Sequence, residues 1–220
     1  SAPSLTSFTA STGLRSVNLA DVSLTSWSGL TRQTSLEYAT IGDMAPSIEL
    51  TKEPEALASG ALRLVYEVKD DYGVISAEAH IVAADAAANA EPLVPAPDFD
   101  LTLPQLRARQ GSAQTVKDLT AHPWAGAEVI LTLEAGDDAE QSGLSEPTRF
   151  TLPARQFREP LARALVEQRR NLALDRTQAR SVWRALELLA LAPEEFDIRT
   201  PVYLGLRSAA YRLRLARDDE

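Results

Sequence analysis

Five carboxylates fall on two turns of this chain. Asp70 and Asp71 stand in Asp70-Asp71-Tyr72-Gly73, and Asp137, Asp138 and Glu140 stand in the segment 136–143. Calcium takes roughly six to eight oxygen ligands, and paired acidic loops are one way to collect them. The same residues are also good turn formers, since an Asp side chain can accept from its own following backbone. A second constellation is Lys117-Asp118 followed by His122-Pro123-Trp124, which has the residue types of an acid–base pair. A hydrolytic triad would need a Ser beside a His oriented by a carboxylate. No Gly-x-Ser-x-Gly elbow presents one. The residue types favour a structural reading, in which Trp124 plugs one end of a core and Pro123 with Gly126 shapes a loop. His80 falls on the polar face of its strand and reads as exposed.

The third constellation is a ladder of arginines: Arg163, Arg169, Arg170, Arg176, Arg180, Arg184, Arg207, Arg212, Arg214 and Arg217. Arg is favoured over Lys where planar, bidentate contacts to carboxylate or phosphate are made. The ladder could meet anionic headgroups, acidic cell-wall polymers or the acidic remainder of the chain. It could equally be a solvated helix face with local pairs such as Glu167 with Arg163 or Arg170. The residues expected to carry an interaction surface are Arg169, Arg170, Arg180, Arg184, Tyr203, Leu206, Tyr211 and Leu213.

Composition narrows the classes. The chain has 220 residues, no Cys, two His and a net charge of −9. The charge argues against nucleic acid. The lack of Cys removes thiol nucleophiles and Cys-ligated zinc, and two His are too few for a zinc enzyme unless carboxylates complete the site. No cofactor is expected. Apolar runs are only a few residues long, against the roughly 18 that a membrane span needs. The chain begins Ser1-Ala2-Pro3 and stops in Asp218-Asp219-Glu220, and so reads as an excised, soluble piece of something longer.

The elements that must position these groups change character near residue 154. Residues 1–154 hold nine Lys/Arg against twenty-one Asp/Glu, whereas residues 155–220 hold thirteen against ten. The first 45 residues read as a Ser/Thr-rich leader, with one to three strands joining or extending the sheet that follows; the alternative is a flexible polar stretch. In residues 62–69, Leu62, Leu64, Tyr66 and Val68 alternate with mostly polar neighbours, and Ile75, Ala77, Ala79 and Ile81 do the same. With Asp70–Gly73 between them, these two runs read as a hairpin. Residues 84–98 read as a loop, Leu101/Leu103 as a short strand, and 114–119, 129–133 and 149–152 as further strands. About seven short strands suggest an immunoglobulin-like or fibronectin-like antiparallel β-sandwich over residues 46–153.

After it, residues 154–220 read as an Arg-rich extension of about three helices. Pro160 suits a first turn, and Asp175 with Gln178 resembles a capping box. Val182, Trp183, Leu186, Leu189 and Ala190 keep helical period. Thr200-Pro201 opens the last helix, whose stripe is Val202, Leu206, Ala209, Ala210 and Leu213. Tyr203, Leu204, Tyr211 and Leu215 lie off it. The fold class is therefore α+β.

Several phrases together resemble a known family: Ala45-Pro46-Ser47-Ile48-Glu49-Leu50-Thr51, Asp70-Asp71-Tyr72-Gly73-Val74, and the run from Lys117 through His122-Pro123-Trp124-Ala125-Gly126. Pro160 through Glu167-Gln168-Arg169-Arg170 and Val202-Tyr203-Leu204-Gly205-Leu206-Arg207 complete the set. They are similar to large bacterial envelope proteins carrying a domain of unknown function. Those have an N-terminal pair of membrane helices, an immunoglobulin-like periplasmic region and a long Gln/Gly/Pro-rich helical C-terminus. The resemblance covers residues 45–217. Where many relatives carry Asp-x-Ala-Gly-Gln, this chain has Asp138-Ala139-Glu140-Gln141.

The resemblance implies a periplasmic location within an inner-membrane-anchored parent, and no activity. The expectation is a non-enzymatic scaffold that docks envelope proteins or the remainder of the same polypeptide. The alternatives are a module binding peptidoglycan or another anionic polymer, and an envelope hydrolase.

Overall fold

The computed structural model describes residues 44–85, 89–191 and 198–218, and before them only the backbone of six strands of two or three residues. Those short strands pair with one another in parallel, Ser4–Leu5 with Ser23–Leu24, Phe8–Thr9 with Trp27–Ser28, and Ser16–Asn18 with Tyr38–Thr40. The rest of the leader lies outside the described residues.

Nine strands in two antiparallel sheets and three helices follow. They are β1 (Ser47–Leu50), β2 (Glu55–Ala56), β3 (Leu62–Val74), β4 (Ser76–Ala83), β5 (Phe99–Asp100), β6 (Ala108–Lys117), β7 (Glu128–Gly136), β8 (Ser142–Leu144) and β9 (Thr148–Thr151). The helices are α1 (Pro160–Leu174), α2 (Ala179–Leu191) and α3 (Thr200–Asp218). One sheet runs β6-β3-β1, with β2 beside β1 on the same edge of β3. The other runs β5-β4-β7, with β8 and β9 sharing the far edge of β7.

The period-2 patterns bury the faces they promise. Leu62, Leu64, Tyr66 and Val68 of β3 meet Ala79 and Ile81 of β4 and Val129, Leu131 and Leu133 of β7 in one core. Fully burying each of the larger aliphatic side chains contributes about 1.5–3 kcal/mol. Tyr66 is wholly enclosed, and its hydroxyl is satisfied by Thr115 Oγ1 at 2.7 Å and the Thr102 carbonyl.

The hairpin expectation fails. β3 pairs with β6 and β1, and β4 pairs with β5 and β7, so the two strands lie in different sheets. Only Ile75 separates them. The Asp-rich turn is real but interrupts β3 instead of ending it. Asp70 Oδ2 accepts from the Tyr72 and Gly73 amides, and the β3–β6 register breaks between the Lys69–Gln110 and Val74–Ala108 pairs. Gly73 sits at φ +114°, pressed against the Arg107 carbonyl. β6 is longer than its pattern suggests, because Gln110-Gly111-Ser112 shows no alternation yet pairs with β3.

The helical extension has its own core of Val182, Leu186, Leu206 and Ala210, with Leu161, Leu165, Leu172, Trp183, Ile198 and Leu213 packed around it. α1 also places Ala173 in the core between the sheets. Asp175 ends α1 and caps the turn into α2, its carboxylate accepting from the Thr177 amide and hydroxyl and from Gln178 Nε2. The capping box is therefore modified, with Gln178 reaching the carboxylate itself. Among the described residues, no helix is long and apolar enough to cross a membrane.

Candidate functional site

The residues singled out by type gather in three places. The first is the junction of α1 with the loop Leu119–Ala127. Trp124 is buried in the core and donates its indole N–H to the Val94 carbonyl at 3.0 Å. The Trp124 amide donates to His122 Nδ1 at 3.2 Å, and the Gly126 amide to Leu152. α1 closes over this loop: Arg169 donates to the His122 carbonyl at 3.4 Å, and the Arg170 guanidinium lies against Gly126.

No acid–base pair forms there. Asp118 spends its carboxylate on the Thr120 hydroxyl and amide, which hold it below the usual carboxylate range. His122 has Nδ1 occupied as an acceptor, and burial, then the Arg169 cation, depress its affinity for a proton.

Beside this junction, between α1 and the end of the sheet formed by β4 and β7, is a cavity of about 570 Å³. Arg170, Asn171 and Leu174 of α1 line it, opposite Asp85, Gly126 and Glu128. Arg149 reaches across the rim and binds Asp85 at 2.8 Å and Glu128 at 2.6 Å. These carboxylates sit 64 and 21 positions from Arg149. Nothing in local sequence links them, and the chain pattern gave no sign of the cavity.

The second place is the end of the body where the acidic turns lie. Gly136, which precedes the second turn, pairs with Ser76, and its carbonyl accepts from Ile75, so the turns adjoin. Their carboxylates do not converge. Asp137 is buried and accepts from the Ala139 and Gln141 amides through Oδ1. Asp138 is paired with Arg107 at 2.8 Å, Asp70 caps its own turn, and Glu140 takes a left-handed φ of +62°. Among the described residues, no three of His, Asp and Glu are grouped to hold a metal ion. Turn amides engage one oxygen each of Asp70 and Asp137, and Asp138 is held by its ion pair with Arg107. On the outer sheet face, His80 instead gathers Glu134 at 3.0 Å, Asp98 at 3.7 Å and Glu78 at 3.9 Å.

The third place is the helical surface, and it divides the expected interaction residues. Leu206 is 5% exposed and belongs to the helical core, with Leu213 packed against it. Leu206 is therefore not surface, and Leu213 is half-buried on the same stripe that α3 turns toward α2. Tyr203 is half-buried, whereas Tyr211 is 55% exposed. Leu204 and Leu215 are exposed with it. At 100° per residue, Leu204, Ser208, Tyr211 and Leu215 fall within about 60° of arc, roughly opposite Leu206, Ala210 and Leu213. Arg207, Arg212 and Arg214 are exposed along the flanks, and Arg214 lies 5.6 Å from the centre of the Tyr211 ring. Arg180 and Arg184 are exposed on α2.

Comparison with known families gives one match, to the family described as Domain of unknown function (DUF4175), over residues 10–220. Comparison with curated proteins gives no match.

Proposed function

The chain belongs to the DUF4175 family, and from that premise we propose that it is a non-enzymatic docking region of a cell-envelope protein. In this reading the two sheets are an immunoglobulin-like sandwich in the periplasm, held by a membrane-anchored parent. α3 takes up an acidic, amphipathic helical segment of an envelope protein. The observation that carries the reading is the second apolar stripe of α3. A helix apolar on opposite faces packs against two things, and one of them is already present as α2.

Charge selects the other. From Thr200 to Ala216, α3 holds Arg207, Arg212 and Arg214 and no acidic residue. Two copies meeting through this stripe would oppose like charges, while an acidic helix would complement them.

The test is site-specific photo-crosslinking from position 211 in cells making the parent protein. Cross-linking to an acidic, amphipathic segment, abolished by Leu204→Asp with Leu215→Asp, supports the reading. Cross-linking no stronger than from the exposed position 146 sinks it.

A further inference from the structure

We propose that the cavity between α1 and the body binds a small zwitterion, a free amino acid or a short peptide with both ends unblocked. The argument starts from Arg170. Arg63, Arg107, Arg149 and Arg176 each have a carboxylate partner. Arg170 is half-buried in the cavity wall and has neither a carboxylate nor a hydrogen-bond partner among the described residues. Its planar fork of donors is therefore open to an anion that enters the cavity. Gly126 is what admits the guanidinium: a Cβ there would stand 2.7 Å from Arg170 Nη1. The next residue, Asn171, lines the same cavity, and its side-chain amide has no partner among the described residues.

The opposite wall decides which ligand. Asp85 and Glu128 share the single Nη2 of Arg149, and Glu128 engages it through Oε2 alone. Asp175, also on the wall, serves Thr177 and Gln178. Three carboxylates thus surround two guanidiniums. A simple anion gains Arg170 but meets the surplus negative charge, and a simple cation leaves Arg170 unpaired. A zwitterion satisfies both, with its carboxylate on the planar fork of Arg170 and its ammonium toward Glu128. Ala83, Ala127 and Leu174 supply an apolar floor, and the volume lies within the range of small-ligand sites. The strap before β5 closes a third side, since the Leu93 and Val94 amides bond the Ala173 carbonyl and Arg176 pairs with Glu91. The cavity lies on α1 and the body and uses no residue of the α3 stripe.

The test is titration of the full chain, followed by amide chemical shifts, with alanyl-alanine, its N-acetylated form and its C-terminal amide. Saturable shifts are expected at Ala127, Asn171 and Leu174 with alanyl-alanine, and each blocked form should bind at least about tenfold more weakly. Arg170→Gln should weaken alanyl-alanine by a similar factor, with Arg170→Lys in between. Should Arg170→Gln fail to fold, Glu128→Gln serves, and it should narrow the gap between alanyl-alanine and its acetylated form. No saturable shift up to about 10 mM overturns the proposal. So does equal binding of the acetylated form, which would make this a plain anion site, or unchanged affinity in Arg170→Gln.

Discussion

Arg170 and Gly126 are packed so closely that a methyl group added at Gly126 would stand 2.7 Å from the guanidinium, with Ala154 Cβ at 3.3 Å on another side. Gly126 also holds φ at +79°. Gly126→Ala therefore carries chiefly the penalty of a left-handed backbone, with a smaller steric one because the Arg170 guanidinium can swing aside. The variant should lose about 2 kcal/mol of stability in urea unfolding. Adding Arg170→Ala should return only the steric part, because the backbone penalty persists. Full recovery in the double variant would show that the backbone costs nothing.

Two other glycines should respond in opposite directions. At Gly73, with φ +114°, an added Cβ would come within 2.4 Å of the Arg107 carbonyl oxygen, which is backbone and cannot swing away. Gly73→Ala should cost about 3 kcal/mol or more. At Gly205, inside α3, a Cβ meets nothing within 4 Å. Gly205→Ala should therefore gain up to about 1 kcal/mol of helix stability. Thermal melts of the two variants against the parent chain decide both.

On α3, two leucines two residues apart should behave as different kinds of site. Leu206→Asp puts a carboxylate into the helical core and should cost about 3 kcal/mol or more, with loss of helical ellipticity. Leu204→Asp, on the exposed stripe, should leave melting within about 0.5 kcal/mol of the parent while removing the position-211 cross-link. Equal destabilisation by both would mean that the outer stripe is packed.

The imidazole of His122 is held below its ordinary 6.5 by burial and then by Arg169. Its folded value lies beneath its unfolded one, so between the two the unfolded chain binds the extra proton. The stability it contributes is complete above about pH 6.5 and is lost as pH falls toward the folded value. Protonation also removes the Nδ1 acceptor used by the Trp124 amide. His122→Asn, which keeps an acceptor near that place, should show a smaller drop in melting temperature than the parent chain between about pH 7.5 and pH 5.5. Parallel curves would place the acid sensitivity elsewhere.

Removing the Tyr66 hydroxyl tests a polar triangle built on an enclosed tyrosine. Tyr66→Phe leaves the Thr102 carbonyl without its phenol donor and Thr115 Oγ1 with only the Thr102 amide. A loss of about 1–3 kcal/mol should appear in urea unfolding. Burial also raises the phenol above its ordinary 10.0, against the lowering pull of Thr115 and Thr102. In ultraviolet titration of the parent chain, Tyr66 should therefore ionise at higher pH than an ordinary tyrosine.

Alternation in residues 62–69 and 129–133 was enough to name the buried face of β3 and β7, because period 2 fixes which side chains share a side. It could not say which strand lies beside which. β3 and β4 looked like a hairpin for that reason, with a good turn between them, yet a single residue carries the chain across to the other sheet. Helical period likewise displayed both stripes of α3, but which one faces α2 depends on packing, so Leu206 and Leu213 passed for surface. Arg170 was legible as a binding type. Its pocket was not, since Gly126 is 44 positions earlier and Arg149, Asp85 and Glu128 meet only in three dimensions. For Asp137 and Asp138 the sequence left turn formation and calcium binding both open, because turn-forming and metal-binding carboxylates look alike in one dimension.

α1 contributes Ala173 to the core between the sheets and Leu161, Leu165 and Leu172 to the helical core. Among the described residues, it is the one helix with side chains in both. At 15 residues it is about 22 Å long, a strut clamped at one end by Asp175 and the Glu91–Val94 strap. A tug on α3 is therefore delivered to the body along this strut, past Arg169 and Arg170 and onto the His122–Gly126 loop, and at its far end through the Arg176–Glu91 pair. Tension and twist applied at the outer helix thus reach the guanidinium that lies over Gly126.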